Sequence, residues 1–360
     1  MYLTATQLEN IANQTFDFYI KDKILGQSTQ ARPLVRILRE NQKTFPGGKE
    51  FIHGNVQFDY EGGFMGYEGD DEVHYDNPAG VKQFSFPWKE LHDGIQVTHS
   101  ELKKAGITVV DSAFGENTQN NSRQDIIRIT QLFENKLDTM KERQERSFNS
   151  ICWQDGTQDA KVFPGILSIL TDDPTSGIVG GLDRAALTLW RHRALVGAND
   201  IAVSKPNQTL SSTLRTELRQ LTRFGGRPSI ALCGSTFLEA LEFEIENKGV
   251  YTQEGFIKQG ATELGMNKVT MRGLGTFEYD PTLDDMGYER RCYVMDPRHL
   301  NLWVMDGQDM KKHTPARPAE RYVLYRGVTW TGGMITDMLN CHAVYECDAK
   351  ASWVGNVVPA

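Results

Sequence analysis

Between Asn121 and Trp153 the chain reads NSRQDIIRITQLFENKLDTMKERQERSFNSICW, with neither glycine nor proline. Ile126, Ile129, Phe133, Leu137 and Met140 recur at spacings of three and four, which places them on one helical face. Phe148 and Cys152 resume an apolar face after the charged run from Lys141 to Arg146. Asn121 and Ser122 are suitable caps, and Asp125 falls in the first turn, where the helix dipole favours an anion. At 1.5 Å per residue this is a rod of roughly 45 Å, as long as a small domain is wide. Two folds accommodate such a rod. One lays an amphipathic helix across a sheet. The other uses the helix as the spine of a flat subunit that tiles with copies of itself. The helix alone does not choose between them.

The remaining composition narrows the class. A chain of 360 residues buries a sizeable core and suggests about two domains. With 39% hydrophobic and 24% charged residues it belongs with soluble globular proteins. No apolar run approaches the roughly 20 residues of a membrane-spanning helix. The opening MYLTATQLENIANQTF has no basic stretch followed by an apolar core, so no signal peptide is expected. Cys152, Cys233, Cys292, Cys341 and Cys347 are odd in number and form no CxxC pair, which predicts buried thiols in a reducing compartment and no zinc site.

The net charge of −8 argues against a general nucleic-acid binder, and its distribution is uneven. From Pro46 to Ser100 ten acidic residues face three basic ones, Lys49, Lys82 and Lys89. Glu61, Glu68, Asp70, Asp71 and Glu72 form the densest part. The run suits a solvated loop or an arm that meets a less acidic neighbour. Val56, Phe58 and Tyr60 alternate with polar residues, and Val81 to Trp88 reads as a returning strand, so 46–88 is expected to be a two-stranded excursion. A ribbon of two strands is marginal alone in water, and a neighbouring subunit is its natural support. The acids lack the alternation and terminal glutamate of an EF-hand loop, so no metal is expected there.

Elsewhere the pattern predicts a helix over 4–25 capped at Thr4 or Thr6, a short apolar Pro33–Leu38, a strand through Ile95–Thr98 and a short helix capped by Thr98 or Ser100. Phe163–Leu170 is ambiguous between helix and strand, and PTSGIVGG (174–181) reads as a flexible connection. Helices follow over Ser211–Phe224 and Ser235–Ile245, with a buried strand at Pro228–Leu232 between them. Strand and turn are expected over 249–280, two strands about a turn at Asp296-Pro297, and a final β-rich run, Arg321–Glu346, broken at Gly332-Gly333.

Catalytic patterns are missing. There is no phosphate loop, no GxGxxG after a strand and no HExxH. Ser235 follows Cys233-Gly234, but Cys233 and Phe237 stand where a nucleophile elbow needs glycines, so Ser235 reads as a helix cap. His299, beside Asp296 and Arg298, reads as a polar turn rather than a general base. Arg184, Arg191 and Arg193 form a basic cluster around Trp190, either a solvated face or a phosphate or subunit contact.

GIVGGLDRAALTLWRHR, residues 177–193, is similar to a Gly-Gly-Leu/Ile-Asp-Arg … Trp-Trp-Arg stretch in one branch of the major capsid proteins of tailed bacteriophages, with Leu189 replacing the first Trp. PWKELHDGIQVTHSEL, residues 87–102, resembles their crossover from extended loop to spine region. The resemblance covers most of the chain in order of parts. It implies an α+β fold of the Hong Kong 97 type: an N-terminal arm (1–45), an extended E-loop (46–86), a peripheral domain (87–196) with spine helix 122–153, an axial domain (197–321) and a return to the peripheral domain (322–360). It further implies a non-enzymatic virion subunit with no cofactor and no metal, assembled in the host bacterial cytoplasm into hexamers and pentamers around packaged double-stranded DNA. The implied partners are copies of itself, a scaffolding protein, a portal protein, a cement or decoration protein and DNA held non-specifically, with no membrane. Glu61, Glu68, Asp70, Asp71, Glu72, Arg184, Trp190, Arg191 and Arg193 are the expected inter-subunit contacts.

The stretch ahead of the long helix is taken up by arm, loop and crossover. The scaffold is therefore expected to be a separate protein and the chain to remain untrimmed. Cross-linking as in some relatives would join Lys49 or Lys82 to a residue such as Asn356. Two other readings stand beside this one: an encapsulin-like compartment shell, and a soluble hydrolase using Ser235 or His299.

Overall fold

A computed structural model describes residues 3–4, 32–58, 64, 66–72, 75, 80–104, 109–110, 123–245, 268–271, 275–313 and 323–354. The expected helix over 4–25 falls outside these residues, apart from Thr4. Leu3–Thr4 is a short strand parallel to Val109–Val110, not a helix start. Glu61, Asn121, Ser122, Asn356 and all of 249–267 also lie outside the described residues.

The long helix runs Arg123–Trp153. Over its second half the apolar stripe is turned inward: Leu137, Met140, Phe148 and Cys152 are buried, while Glu142, Arg143 and Arg146 are exposed. Phe148 meets Trp330 edge-on at 5.1 Å and Phe163 at 6.3 Å, so one aromatic cluster fixes the helix to a sheet. The helix Pro33–Glu40 lies alongside, and Arg32 just ahead of it bonds Glu142 and Glu145. Gly165 closes the end of the long helix. A Cβ there would lie 2.4–2.5 Å from the carbonyl oxygens of Ile151, Cys152 and Gln154. Gly165→Ala is therefore expected to cost about 3 kcal/mol, read as a lower denaturation midpoint at unchanged slope.

Two sheets carry the rest. The larger has six strands in the order Lys268–Met271, Gly275–Tyr279, Ile230–Cys233, Arg291–Met295, Ala343–Glu346 and Arg193–Leu195. The second is built around Val323–Thr336, which pairs antiparallel with Lys89–Thr98 on one side and with Lys311–His313 and Leu300–Met305 on the other. Lys43–Phe45 adds a parallel edge to it. The two strands expected about Asp296-Pro297 are present, but each belongs to a different sheet, so this turn is a crossing point. Asp296 holds it, accepting from the amides of Arg227 (2.7 Å) and Arg298 (3.1 Å). Burial alone would raise its pKa, but hydrogen bonds from the Arg298 side chain and these amides hold it below the usual carboxylate range.

The break expected at Gly332-Gly333 is absent. Val323–Thr336 runs straight through, with Gly332 opposite both Lys89 and Val304. The glycine is required by closeness, since a Cβ on Gly332 would sit 2.3 Å from the Trp303 carbonyl oxygen. Phe163–Leu170 resolves to a single helical turn, Ile166–Ile169. Thr98 caps the helix His99–Lys104 through a capping box: its hydroxyl accepts from the Glu101 amide, and Glu101 accepts from the Thr98 amide.

One core gathers the long helix, the Pro33–Glu40 helix and the second sheet. The other lies between the six-stranded sheet and the helices Thr209–Thr222 and Ser235–Ile245, with Leu214, Leu221, Phe237 and Leu241 inward. Buried Glu244 caps the first of these helices, accepting from the amides of Leu210 and Ser211 at 2.9 Å each. All five thiols are free and buried, as expected.

Candidate assembly surface

The ribbon forms as its alternation predicts. Phe51–Gln57 and Val81–Pro87 pair antiparallel with Ile52 opposite Phe86 and Gly54 opposite Phe84. Its support differs from the expectation, because the chain provides it. Phe84 and Phe86 are buried. Trp190 stacks on Phe84 at 6.1 Å and meets Phe58 edge-on at 5.8 Å. A second hairpin, Ile178–Val179 with Leu182–Asp183, turns at Gly180-Gly181, both at positive φ. That conformation suits glycine and gives a tight two-residue turn. Gly180 accepts the Ser85 amide at 2.8 Å, and Val179 accepts Trp190 Nε1 at 3.0 Å. The 174–181 connection is thus a structured brace and not a flexible one.

Between the two ribbon strands, residues 64, 66–72 and 75 are exposed. Phe64 is fully exposed, Tyr67 is 72% exposed and Tyr75 89%. Glu68, Asp70, Asp71 and Glu72, which lie between Tyr67 and Tyr75 in sequence, are exposed as well. Asp71 accepts the Glu68 amide at 2.9 Å, but among the described residues no lysine, arginine or histidine pairs with any of the four. The sequence signalled the acids as a charge run. The aromatics between them were legible too, since large rings in a Gly- and acid-rich stretch have no core to join.

The arginines divide by depth. Arg184 is interior: it donates to Thr171 Oγ1 at 2.8 Å and lies 3.5 Å from His192 Nδ1, and desolvation lowers its pKa. Trp190 is interior as well, only 1% exposed. Arg193 makes a bidentate pair with Glu217, both bonds 2.7 Å, and that pair raises its pKa. Arg191 differs. It donates to the carbonyls of Arg184 (2.7 Å) and Ala185 (2.9 Å), and no carboxylate among the described residues balances its charge. Beside it Leu189 is 39% exposed, and Ile178 on the brace hairpin is 71% exposed.

Ser235 and His299 do not form a reactive pair. The Ser235 amide donates to Asp284 at 3.0 Å at the start of its helix, and His299, just ahead of the strand Leu300–Met305, has Nδ1 2.7 Å from Asp337, just past Val323–Thr336. Among the described residues there is no group of three metal-ligating side chains.

Several solved structures share this arrangement. The asymmetric unit of the cyanophage A-1(L) capsid superposes with a TM-score of 0.55 at 12% identity, covering 88% of this chain and 92% of that one. The fold is that of phage capsid proteins. The capsid of Myoviridae phage XM1 agrees at a TM-score of 0.50 and 11% identity, over 86% and 91% of the two chains. The capsid of a native GTA particle agrees at 0.50 and 12%, over 87% and 90%. No family model and no curated protein matches the sequence. The capsid fold is therefore carried here by three-dimensional arrangement with little sequence identity.

Proposed function

We propose that the chain is the shell subunit of an icosahedral virus capsid of the Hong Kong 97 type, self-assembling into hexamers and pentamers around packaged double-stranded DNA. The observation that carries this reading is the coincidence of a capsid fold with a ribbon whose end is aromatic, acidic and uncovered on its own chain. In this reading 1–45 is the N-terminal arm, 46–86 the E-loop, 87–196 the peripheral domain with its spine, 197–321 the axial domain and 322–360 the return. The second core, between the six-stranded sheet and its two helices, supports a separately packed axial part. Mutual burial of exposed rings and strand edges in a closed symmetric shell suits such a subunit. A separate scaffolding protein sets the curvature, because one sequence must adopt slightly different conformations in hexamers and pentamers. A portal protein and a cement protein complete the expected partners.

Sedimentation of the chain expressed alone tests this. Free capsomers, sheets or aberrant shells are expected, becoming uniform when the scaffold is supplied. A species that keeps the mass of one chain at every concentration would rule the proposal out. Uniform shells from the chain alone would remove the scaffold from it. Covalent cross-linking through Lys49 or Lys82 predicts a ladder from boiled particles on a denaturing gel, and a single band would exclude it.

A further inference from the structure

Two of the five buried thiols stand apart from the rest. Cys233 and Cys292 lie directly opposite each other on adjacent antiparallel strands of the six-stranded sheet, with their Sγ atoms 3.1 Å apart. The Gly234 amide donates to the Arg291 carbonyl at 3.0 Å. The next pair inward, Cys233 with Cys292, is therefore of the non-hydrogen-bonded kind, whose side chains approach most closely. The Cα atoms of such a pair are about 4.5 Å apart, inside the span that a disulfide bridges, and the two sulfurs need close by only about 1 Å. Both strands are interior to the sheet, flanked by Gly275–Tyr279 and Ala343–Glu346, so their register is held from either side. Cys347 shares this core, Cys152 lies in the other one, and Cys341 donates to the Met338 carbonyl. A buried thiol commonly serves as a small apolar filler, a role that needs no second sulfur facing it across the ladder.

We infer that Cys233 and Cys292 are a latent cross-link: a dithiol while the chain is in a reducing compartment, and an intrachain disulfide once it meets a peroxide oxidant. One thiolate of the pair attacks hydrogen peroxide and becomes a sulfenic acid, releasing hydroxide. The facing thiol then attacks that sulfur, the S–S bond forms and the sulfenic oxygen leaves as water. In all, two thiols give up two protons and two electrons, and peroxide is reduced to two waters. Burial and the hydrogen bond with Cys292 push the Cys233 thiol well above its ordinary pKa, so thiolate is scarce and the first step is slow. The second step is fast, because the partner sulfur is already in contact, and it spares the sulfenic acid from further oxidation. The link joins residues 59 positions apart and closes a loop that holds the helix Ser235–Ile245 and the strand Gly275–Tyr279. Closing so long a loop restricts the unfolded chain far more than the folded one. What the cross-link is for rests on the shell-subunit reading: subunits stay unlinked while shells are built inside a cell and are locked after release.

The test treats the full, folded and reduced chain with hydrogen peroxide and maps its peptides without reductant. A linked Cys233–Cys292 peptide, two hydrogen atoms lighter than the free pair, is expected as the main oxidised product, with Cys152 and Cys341 still thiols. The linked chain should melt about 5 °C or more above the reduced one, a gain that dithiothreitol reverses. Cys292→Ser should abolish both link and gain, and Cys347→Ser should keep both. Linkage spread over all five cysteines, or none until the chain unfolds, would overturn the inference, and the map of the parent chain decides this whether or not a variant folds. An unchanged melting point in the linked chain would overturn the lock. Particles alkylated in denaturant at cell lysis should carry five free thiols, and the same particles kept in peroxide should carry the link. Particles that never gain the link overturn the cross-link and leave the shell reading intact. A linked chain that never sediments as particles keeps the cross-link and removes the shell reading.

Discussion

Deleting Glu61 to Asp76 should leave a folded subunit that no longer builds particles. The basis for folding is the brace. The described ribbon, from Phe51–Gln57 to Val81–Pro87, is held by Trp190, Val179 and Gly180 of its own chain, and none of these contacts needs the removed end. The basis for failed assembly is that the deletion removes the exposed rings Phe64, Tyr67 and Tyr75 together with Glu68, Asp70, Asp71 and Glu72. Contacts of this kind are concentrated in a few aromatic anchors, so their loss is expected to be all-or-none for a shell that needs every subunit joined. Unchanged circular dichroism and thermal midpoint with no sedimenting particles is the expected result. Normal particles from the deleted chain would mean the ribbon end is not an assembly contact.

The second large effect is acid lability of the subunit from two buried histidines. His192 donates from Nε2 to the Thr171 carbonyl at 2.7 Å beside the Arg184 guanidinium, and desolvation, with that positive neighbour, pushes its pKa down to about 4. His342 is fully buried, its Nδ1 accepting the Asp296 amide at 3.2 Å, and desolvation lowers it to about 3 against the opposing pull of Asp296. Both stay neutral in the folded chain while their unfolded counterparts protonate near pH 6.5. The unfolded state therefore binds more protons below that pH, and stability falls as pH is lowered. Each histidine contributes about 1.4 kcal/mol per pH unit, so the pair gives about 3 kcal/mol per pH unit down to about pH 4. Carboxylates with lowered pKa, such as Glu101 and Asp155, begin to act only near their own unfolded values around 4, whereas Asp280 and Asp348, whose pKa burial raises, take up protons in the folded chain and oppose the histidines between pH 6.5 and about 4.5. Over that window the two histidines alone remove about 5 kcal/mol, comparable to the whole stability of a small domain. His192→Gln keeps the donor to Thr171 and His342→Asn keeps the acceptor for Asp296, and the double variant should flatten the curve. Denaturant midpoints that do not change between pH 6.5 and 4.5 in the parent chain would contradict the account.

Much of this architecture could be read from the residues because it rests on local periodicity. The long helix follows from Leu137, Met140, Phe148 and Cys152 at helical spacing, and the ribbon follows from Val56 and Phe58 alternating with polar neighbours. What could not be read depends on contacts between distant parts. Trp190 and Phe84 are 106 positions apart in number, and nothing local to either says that they stack. Glu244 and Asp284 cap helices that begin far away in the sequence, which no helix-start pattern reveals. Gly332-Gly333 looks like a break because glycine usually punctuates strands. Here it answers the proximity of the Trp303 backbone, a tertiary fact. The arginines show the same limit at the candidate surface: Arg184, Arg191 and Arg193 look alike in sequence, yet one is buried, one is paired with Glu217, and one has no carboxylate partner among the described residues.

Negative-stain electron microscopy of the purified chain, with and without the co-expressed scaffold, tests the shell reading most directly. Rings, sheets or irregular shells from the chain alone, and uniform closed shells with the scaffold, are the expected images. Dispersed single subunits under both conditions, with no rings, sheets or shells at any concentration, would contradict it.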